Sequence, residues 1–126
     1  MAVVRLGGSG FKPIPLSSAD GIAGAPVTVI SHPNGMFYTV SQGIVSRLYR
    51  AQQRSHRGAP RLAITADFAR GSSGSPVLDS AGNVVGVVSS TNSIYYNKDE
   101  GIDRNLQMVL KSCIPVSALR ELLEKR

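Results

Sequence analysis

Apolar residues in this chain alternate with polar ones over short runs, and Gly, Pro, Asn and Ser break the runs at close intervals. Such alternation predicts strands, because successive side chains of a strand point to opposite faces. Strands are expected near Val27–Ser31, Phe37–Tyr49, Arg61–Thr65, Pro76–Leu78, Val84–Ser90 and Leu106–Cys113. In "LDSAGNVVGVV", Asp79, Gly82 and Asn83 tolerate the turn conformations that let Val77–Leu78 pair with Val84–Val88. After Ile114–Pro115 the period changes. Leu119, Leu122 and Leu123 fall at helical spacing, and the fixed φ of Pro115 suits a helix start. The pattern predicts an all-β unit over residues 27–126: a six-stranded antiparallel barrel covered by a short C-terminal helix. Residues 1–6 form a further apolar run, set apart by the Gly/Ser/Pro-rich stretch 7–26. They are expected to be an orphan strand followed by a linker. No repeat or low-complexity tract interrupts this plan.

Length and composition narrow the function without choosing one. A chain of 126 residues with 42% hydrophobic residues suffices for one globular core. No apolar run approaches the roughly 20 residues of a membrane helix, so no membrane partner is expected. Ala2–Leu6, broken by Arg5, is too short for the apolar core of a signal peptide. The single cysteine, Cys113, excludes an internal disulfide and is expected to be a small buried side chain. Two separated histidines and that cysteine make no ligand cluster, so neither a metal nor a cofactor is expected. The formal charge is +6, and Arg47, Arg50, Arg54, Arg57 and Arg61 crowd into "RLYRAQQRSHRGAPR" with His56. A cluster of this kind is either a solvated hairpin loop or a surface for an anionic partner. Only Tyr49 could stack a base, which argues against nucleic acid.

The chemistry concentrates in Thr65–Val77, "TADFARGSSGSPV". A serine hydroxyl attacks a carbonyl only when a base takes its proton and donors stabilise the oxyanion. Gly71 would let the backbone fold back so that its N–H and that of Ser73 point at one spot, while Gly74 and Pro76 fix the exit into the next strand. A lipase-type elbow is excluded, because Ser75 stands where its second glycine falls. A P-loop is excluded as well, since no lysine follows the glycines. A plain Gly/Ser turn remains open on these residues alone.

The stretch resembles the nucleophile segment of trypsin-like serine proteases, especially the disulfide-poor bacterial branch of HtrA-type enzymes, whose turn reads G-N-S-G-G-P. The likeness extends to "VTVISHPNGMFYTVSQGIVSRL" and to "NVVGVVSS", and so covers most of Val27–Ser90. In that family two six-stranded Greek-key barrels flank the site, and this chain resembles the second. The resemblance implies Ser73 as nucleophile, the N–H groups of Gly71 and Ser73 as the oxyanion hole, and Ser72 within the oxyanion turn. Ser72 stands where trypsin carries the aspartate that pairs with its freed N-terminus, so that switch is not implied. Asp67 falls where trypsin holds its specificity-pocket acid, and it reads equally as a structural loop group. Ser89, Ser90 and Thr91 match the pocket wall, with Thr91 at a position where trypsin has glycine.

The mechanism further requires a histidine and an orienting carboxylate, which the family draws from its first barrel. The family strand "D-[IL]-A-[VL]-L-[KR]" supplies the acid, and "MAVVRL" begins one residue after it. His32 lies in "SHPNG", which matches a loop that does not supply the base, and His56 sits among arginines that disfavour its protonation. Asp20, Asp79, Asp99 and Asp103 have turn-like surroundings and no partner visible in sequence. The expected function is therefore the C-terminal half of a serine endopeptidase, inactive alone, with a peptide or protein substrate and a missing N-terminal barrel as partners. The alternative is a non-catalytic β-barrel that binds a peptide.

Overall fold

The computed structural model describes residues 1–52, 54, 57–99 and 101–125. Its strands are β1 (Pro26–Ser31), β2 (Thr39–Arg50), β3 (Pro60–Ile64), β4 (Pro76–Leu78), β5 (Val84–Asp99) and β6 (Ile102–Pro115), followed by helix α1 (Val116–Glu124). They close into an antiparallel barrel in the order β1-β2-β3-β6-β5-β4, with β4 returning to β1 through Thr28–Leu78 and Val29–Val77. The expected all-β barrel with its terminal helix is what the chain forms.

Alternation sets the core. In β1, Val27 and Val29 point inward and are buried, and they meet Val45, Leu62, Ile64, Val77, Val85, Val88 and Cys113. Close approaches to backbone need glycine at Gly43, Gly71 and Gly86, where a Cβ on Gly86 would lie 2.9 Å from Ile114 O. A Cβ on Gly43 would lie 2.3 Å from Ala66 N, so β2 can cross under Thr65–Ala66 only without a side chain there. Gly71 lies in the turn between β3 and β4.

Several boundaries differ from the expectation. β2 starts at Thr39 rather than Phe37, because Tyr38 takes a left-handed backbone (φ 58°) and gives its N–H to His32 Nδ1 at 2.9 Å. β5 runs nine residues past Ser90, and β6 begins four residues before Leu106. Beyond Thr91 and Lys111 the two strands pair only with each other, as a ribbon that closes at Asp99–Ile102.

Residues 1–6 form no strand. A short apolar run becomes a strand only where a neighbouring edge offers it a ladder, and no strand of the barrel pairs with residues 1–6. The expected linker is docked from Pro15 onward. Leu16 bridges Val84 in parallel, Ser17 N donates to Val84 O at 2.9 Å, and Val84 N donates to Pro15 O at 2.8 Å. Arg120 of α1 donates to the carbonyls of Leu16 and Ser17. Asp20, which looked partnerless in sequence, accepts from Ser117 N at 2.8 Å and from Ser117 Oγ at 2.7 Å. Pro115 precedes the helix as its extended cap residue and offers no side-chain acceptor, so Asp20 satisfies a first-turn N–H from 97 residues away.

Candidate functional site

The turn between β3 and β4 is shaped by partners on three sides. Ser72 is fully buried: its N–H donates to Ala69 O at 3.0 Å, its carbonyl accepts from Ser75 N, and its hydroxyl donates to Ser31 Oγ at 3.1 Å. Gly74 N donates to Val88 O, and Val88 N donates to Ser75 O, both at 2.9 Å, so the turn is stitched to β5. With Ser72 held inside, Ser73 is left exposed at the apex.

Gly71 is required twice over. Its φ is +99°, and a Cβ would lie 2.7 Å from His32 O. The turn thus leans directly on the His32–Asn34 loop. Asn34 N donates to Arg70 O at 2.7 Å, which fixes the Arg70–Gly71 peptide plane. In a trans peptide the carbonyl and the N–H point in opposite directions, so the Gly71 N–H faces away from that loop. Among the described residues, neither Gly71 N–H nor Ser73 N–H donates a hydrogen bond.

The Ser73 hydroxyl donates to Ser89 O at 3.3 Å, and among the described residues neither a histidine nor a carboxylate accepts from it. His32 is engaged elsewhere. Its Nδ1 accepts from Tyr38 N, which in the neutral ring leaves the proton on Nε2. Its ring packs against Phe37 and Tyr38, at centroid distances of 5.2 and 5.1 Å. His56 lies outside the described residues.

Beside Ser73 a small cavity of about 190 Å³ is lined by Phe68, Ala69, Arg70, Ser73 and the β5 segment Ser89, Ser90 and Thr91. The structure thus brings together Ser73 and the three residues expected in the pocket wall. Asp67 is not in that lining. Its exposed carboxylate pairs with Lys111 Nζ at 3.2 Å, and Lys111 also donates to Phe68 O at 2.7 Å and lies over the Phe68 ring. Sequence reasoning missed both Lys111 and Asn34. The only local signal for Asn34 was the "PNG" turn, where Asn34 takes a left-handed backbone.

Asp79 has a turn role of its own, its Oδ1 accepting from Ala81 N and Asn83 N at 2.9 and 2.8 Å. The Asn83 N–H, followed by the other donors of that turn, holds its carboxyl below the usual range. Cys113 is fully buried, and desolvation pushes its thiol up to about 12 despite a backbone hydrogen bond from Ser89. That thiol is no nucleophile. No group of three or more His, Cys, Asp or Glu side chains suited to a metal occurs among the described residues, and no helix there is long and apolar enough to cross a membrane.

Comparison with known proteins follows the same lines. The family model described as a trypsin-like peptidase domain matches residues 1–87. Serine endoprotease DegS of Haemophilus influenzae is 31% identical over 99% of this chain, which spans 35% of that protein. Protease Do-like 1 of Arabidopsis thaliana chloroplasts is 37% identical over 61% of this chain, which spans 18% of that protein. Among solved structures, the HtrA-type protease AlgW with a decapeptide superposes with a TM-score of 0.64 at 22% identity, covering 88% of this chain and 32% of its own. An inactive form of the M. tuberculosis protease Rv3671c gives 0.64 at 18% identity, covering 90% of this chain and 52% of its own. The chain thus spans about a third or less of the curated relatives, and at these identities the structural likeness concerns the fold. With a family model matched over more than half its length, the chain belongs to the trypsin-like peptidases, in their HtrA-like branch.

Proposed function

We propose that this barrel carries the nucleophile half of a serine endopeptidase site. The observation that carries the reading is the pairing of an exposed Ser73 with two unspent N–H groups, those of Gly71 and Ser73, on a turn fixed from three sides. In this reading Ser73 Oγ attacks the carbonyl of a peptide bond, and those two donors take the negative charge that develops on its oxygen. The hydroxyl proton must go to a base and then to the leaving amine. Ser89 O, its present acceptor, is a backbone carbonyl and cannot hold that proton. The histidine and its orienting carboxylate are therefore assigned to a partner barrel, and this chain alone hydrolyses peptides poorly or not at all. Ser89, Ser90 and Thr91 wall a pocket of about 190 Å³, which suits a small side chain. Asp67, drawn toward Lys111, contributes no charge to that pocket in this reading.

A fluorophosphonate modifies serines that a base has activated, and intact mass reads the adduct. The 126-residue chain alone should remain unlabelled. Mixed with the first barrel of an HtrA-type protease, it should be labelled at Ser73, and Ser73→Ala should abolish the adduct. Stoichiometric labelling of the isolated chain would overturn the half-site reading. Failure to label even with the complementing barrel would favour a non-catalytic peptide-binding module, which an exposed strand beside the turn could serve.

A further inference from the structure

Next to the Ser73 pocket lies a second, larger cavity of about 600 Å³, which shares Ser89, Ser90 and Thr91 with it. Among the described residues its lining contains Arg47, Arg50 and Arg61 and not one carboxylate. The topology explains the convergence. Arg47 and Tyr49 are two apart on β2, and Arg61 on β3 lies directly opposite Tyr49 in the ladder, so all three share a face. Arg50 follows at the end of the strand.

These guanidiniums are held in place, and among the described residues no carboxylate pairs with them. Arg47 lies over the Tyr49 ring at 5.1 Å, Arg50 donates to Gly58 O at 2.9 Å, and Arg61 donates to Pro60 O at 3.0 Å. Both ion pairs among the described residues involve lysines, Lys111 and Lys125. Three like charges around one concave wall repel each other, and an anion that entered would relieve that repulsion while accepting bidentate hydrogen bonds. Thr91 stands between the two cavities as a shared wall, and alternate side chains of an extended peptide lie roughly 7 Å apart. An extended peptide with one side chain in the small pocket therefore brings the side chain two positions away to the cavity that holds the arginines.

We propose that this cavity is a subsite for acidic side chains, so that the peptide bound by this barrel carries glutamate or aspartate two positions from the residue held next to Ser73. The inference rests on the peptide-binding part of the reading above and assigns a chemistry to the flanking positions. A nucleic acid fits less well. It needs an open aromatic face, and Tyr49 has its ring covered by Arg47 and its hydroxyl bonded to Ser112 at 2.9 Å.

The test is fluorescence anisotropy on the full chain carrying Ser73→Ala, so that binding is read without any chemistry. The probes are a fluorescein-labelled peptide with three glutamates followed by alanine and valine, and its glutamine counterpart. At about 50 mM salt the glutamate peptide should bind at least about tenfold more tightly, and raising salt to about 0.5 M should erase the difference. Replacing both exposed arginines, Arg47→Gln with Arg50→Gln, should bring the two peptides within about twofold at an unchanged melting temperature. Equal affinities, no binding of either peptide, or a glutamate preference that survives the double variant or high salt would each overturn the proposal. An oligothymidylate that binds as tightly as the glutamate peptide and depends on the same arginines would overturn it in favour of a general polyanion surface. Because Ser73 is absent from the assay, a charge preference without fluorophosphonate labelling of the complemented protein would separate the fate of this subsite from that of the catalytic reading.

Discussion

Replacing Gly71 with alanine isolates what holds the candidate oxyanion turn in shape. Two separate costs arise. At φ +99° an L-residue is strained by about 1–2 kcal/mol relative to glycine. The new Cβ would also sit 2.7 Å from His32 O, a backbone atom that cannot swing aside, so the His32–Asn34 loop must move and strain its 2.7 Å bond from Asn34 N to Arg70 O. That displacement adds about 1–2 kcal/mol, the scale of one weakened hydrogen bond together with the backbone shift. Gly74 provides the control, because its φ is +89° and nothing lies within 4 Å of its Cβ position. Gly74→Ala therefore carries the backbone cost alone. Urea denaturation should show Gly71→Ala less stable than the parent by about 2–4 kcal/mol and Gly74→Ala by about 1–2 kcal/mol. The corresponding fall in melting temperature for Gly71→Ala is roughly 6–20 °C in a domain of this size. Equal losses for the two variants would refute the claim that the turn is braced against the His32 carbonyl.

Two further outcomes test other parts of the structure. Asp20→Ala removes both hydrogen bonds to Ser117 and should cost about 1–2 kcal/mol in urea denaturation, and a loss below about 0.5 kcal/mol would mean that α1 does not depend on the docked segment. Cys113 should resist Ellman's reagent until the chain unfolds. Its thiol rises from 9.0 to about 12 on folding, so the unfolded chain releases the proton first, and stability should be unaffected below about pH 9 and fall as pH climbs toward 12. A Cys113→Ala variant with the same steepness of decline over that window would show that another group is responsible.

What the chain's own pattern reveals is whatever periodicity or local turn chemistry encodes. The inward valines of β1, the Asp79 turn and the leucine spacing of α1 each leave a signal within a few residues, and each element lies where that signal placed it. The β5–β6 ribbon was legible only in part. Thr91, Asn92 and Ser93 lack an apolar alternation, and their pairing is decided by the opposite strand through Lys111, Leu110 and Val109. Asp20 and Asp67 carry no trace of their partners, which lie 97 and 44 positions onward. The same holds in the candidate site. Ser73 is marked by its neighbours, whereas the contact of Gly71 with His32 and the hydrogen bond from Asn34 to Arg70 depend on two loops meeting in space.

Among the described residues, the hydrogen bonds and the close approach that hold Arg70–Ser75 come from residues 31–89, while Lys111 reaches only the earlier Asp67–Phe68 part of the turn. Ser31 receives the Ser72 hydroxyl, His32 walls off Gly71, Asn34 holds the Arg70 carbonyl, and Val88 and Ser89 tie down Gly74, Ser75 and Ser73. None of these interactions needs a histidine base, an acid or a second barrel. The geometry that presents Ser73 is thus a property of this barrel's own folding, enforced by β1 on one side and β5 on the other. Activation of the hydroxyl is a separate matter, because it requires a group that can accept and return a proton, and a carbonyl such as Ser89 O cannot. In the proposed reading, shape and reactivity are accordingly divided between different residues. A change at Gly71 acts through the shape of the turn, and a change at the proton acceptor acts through chemistry alone.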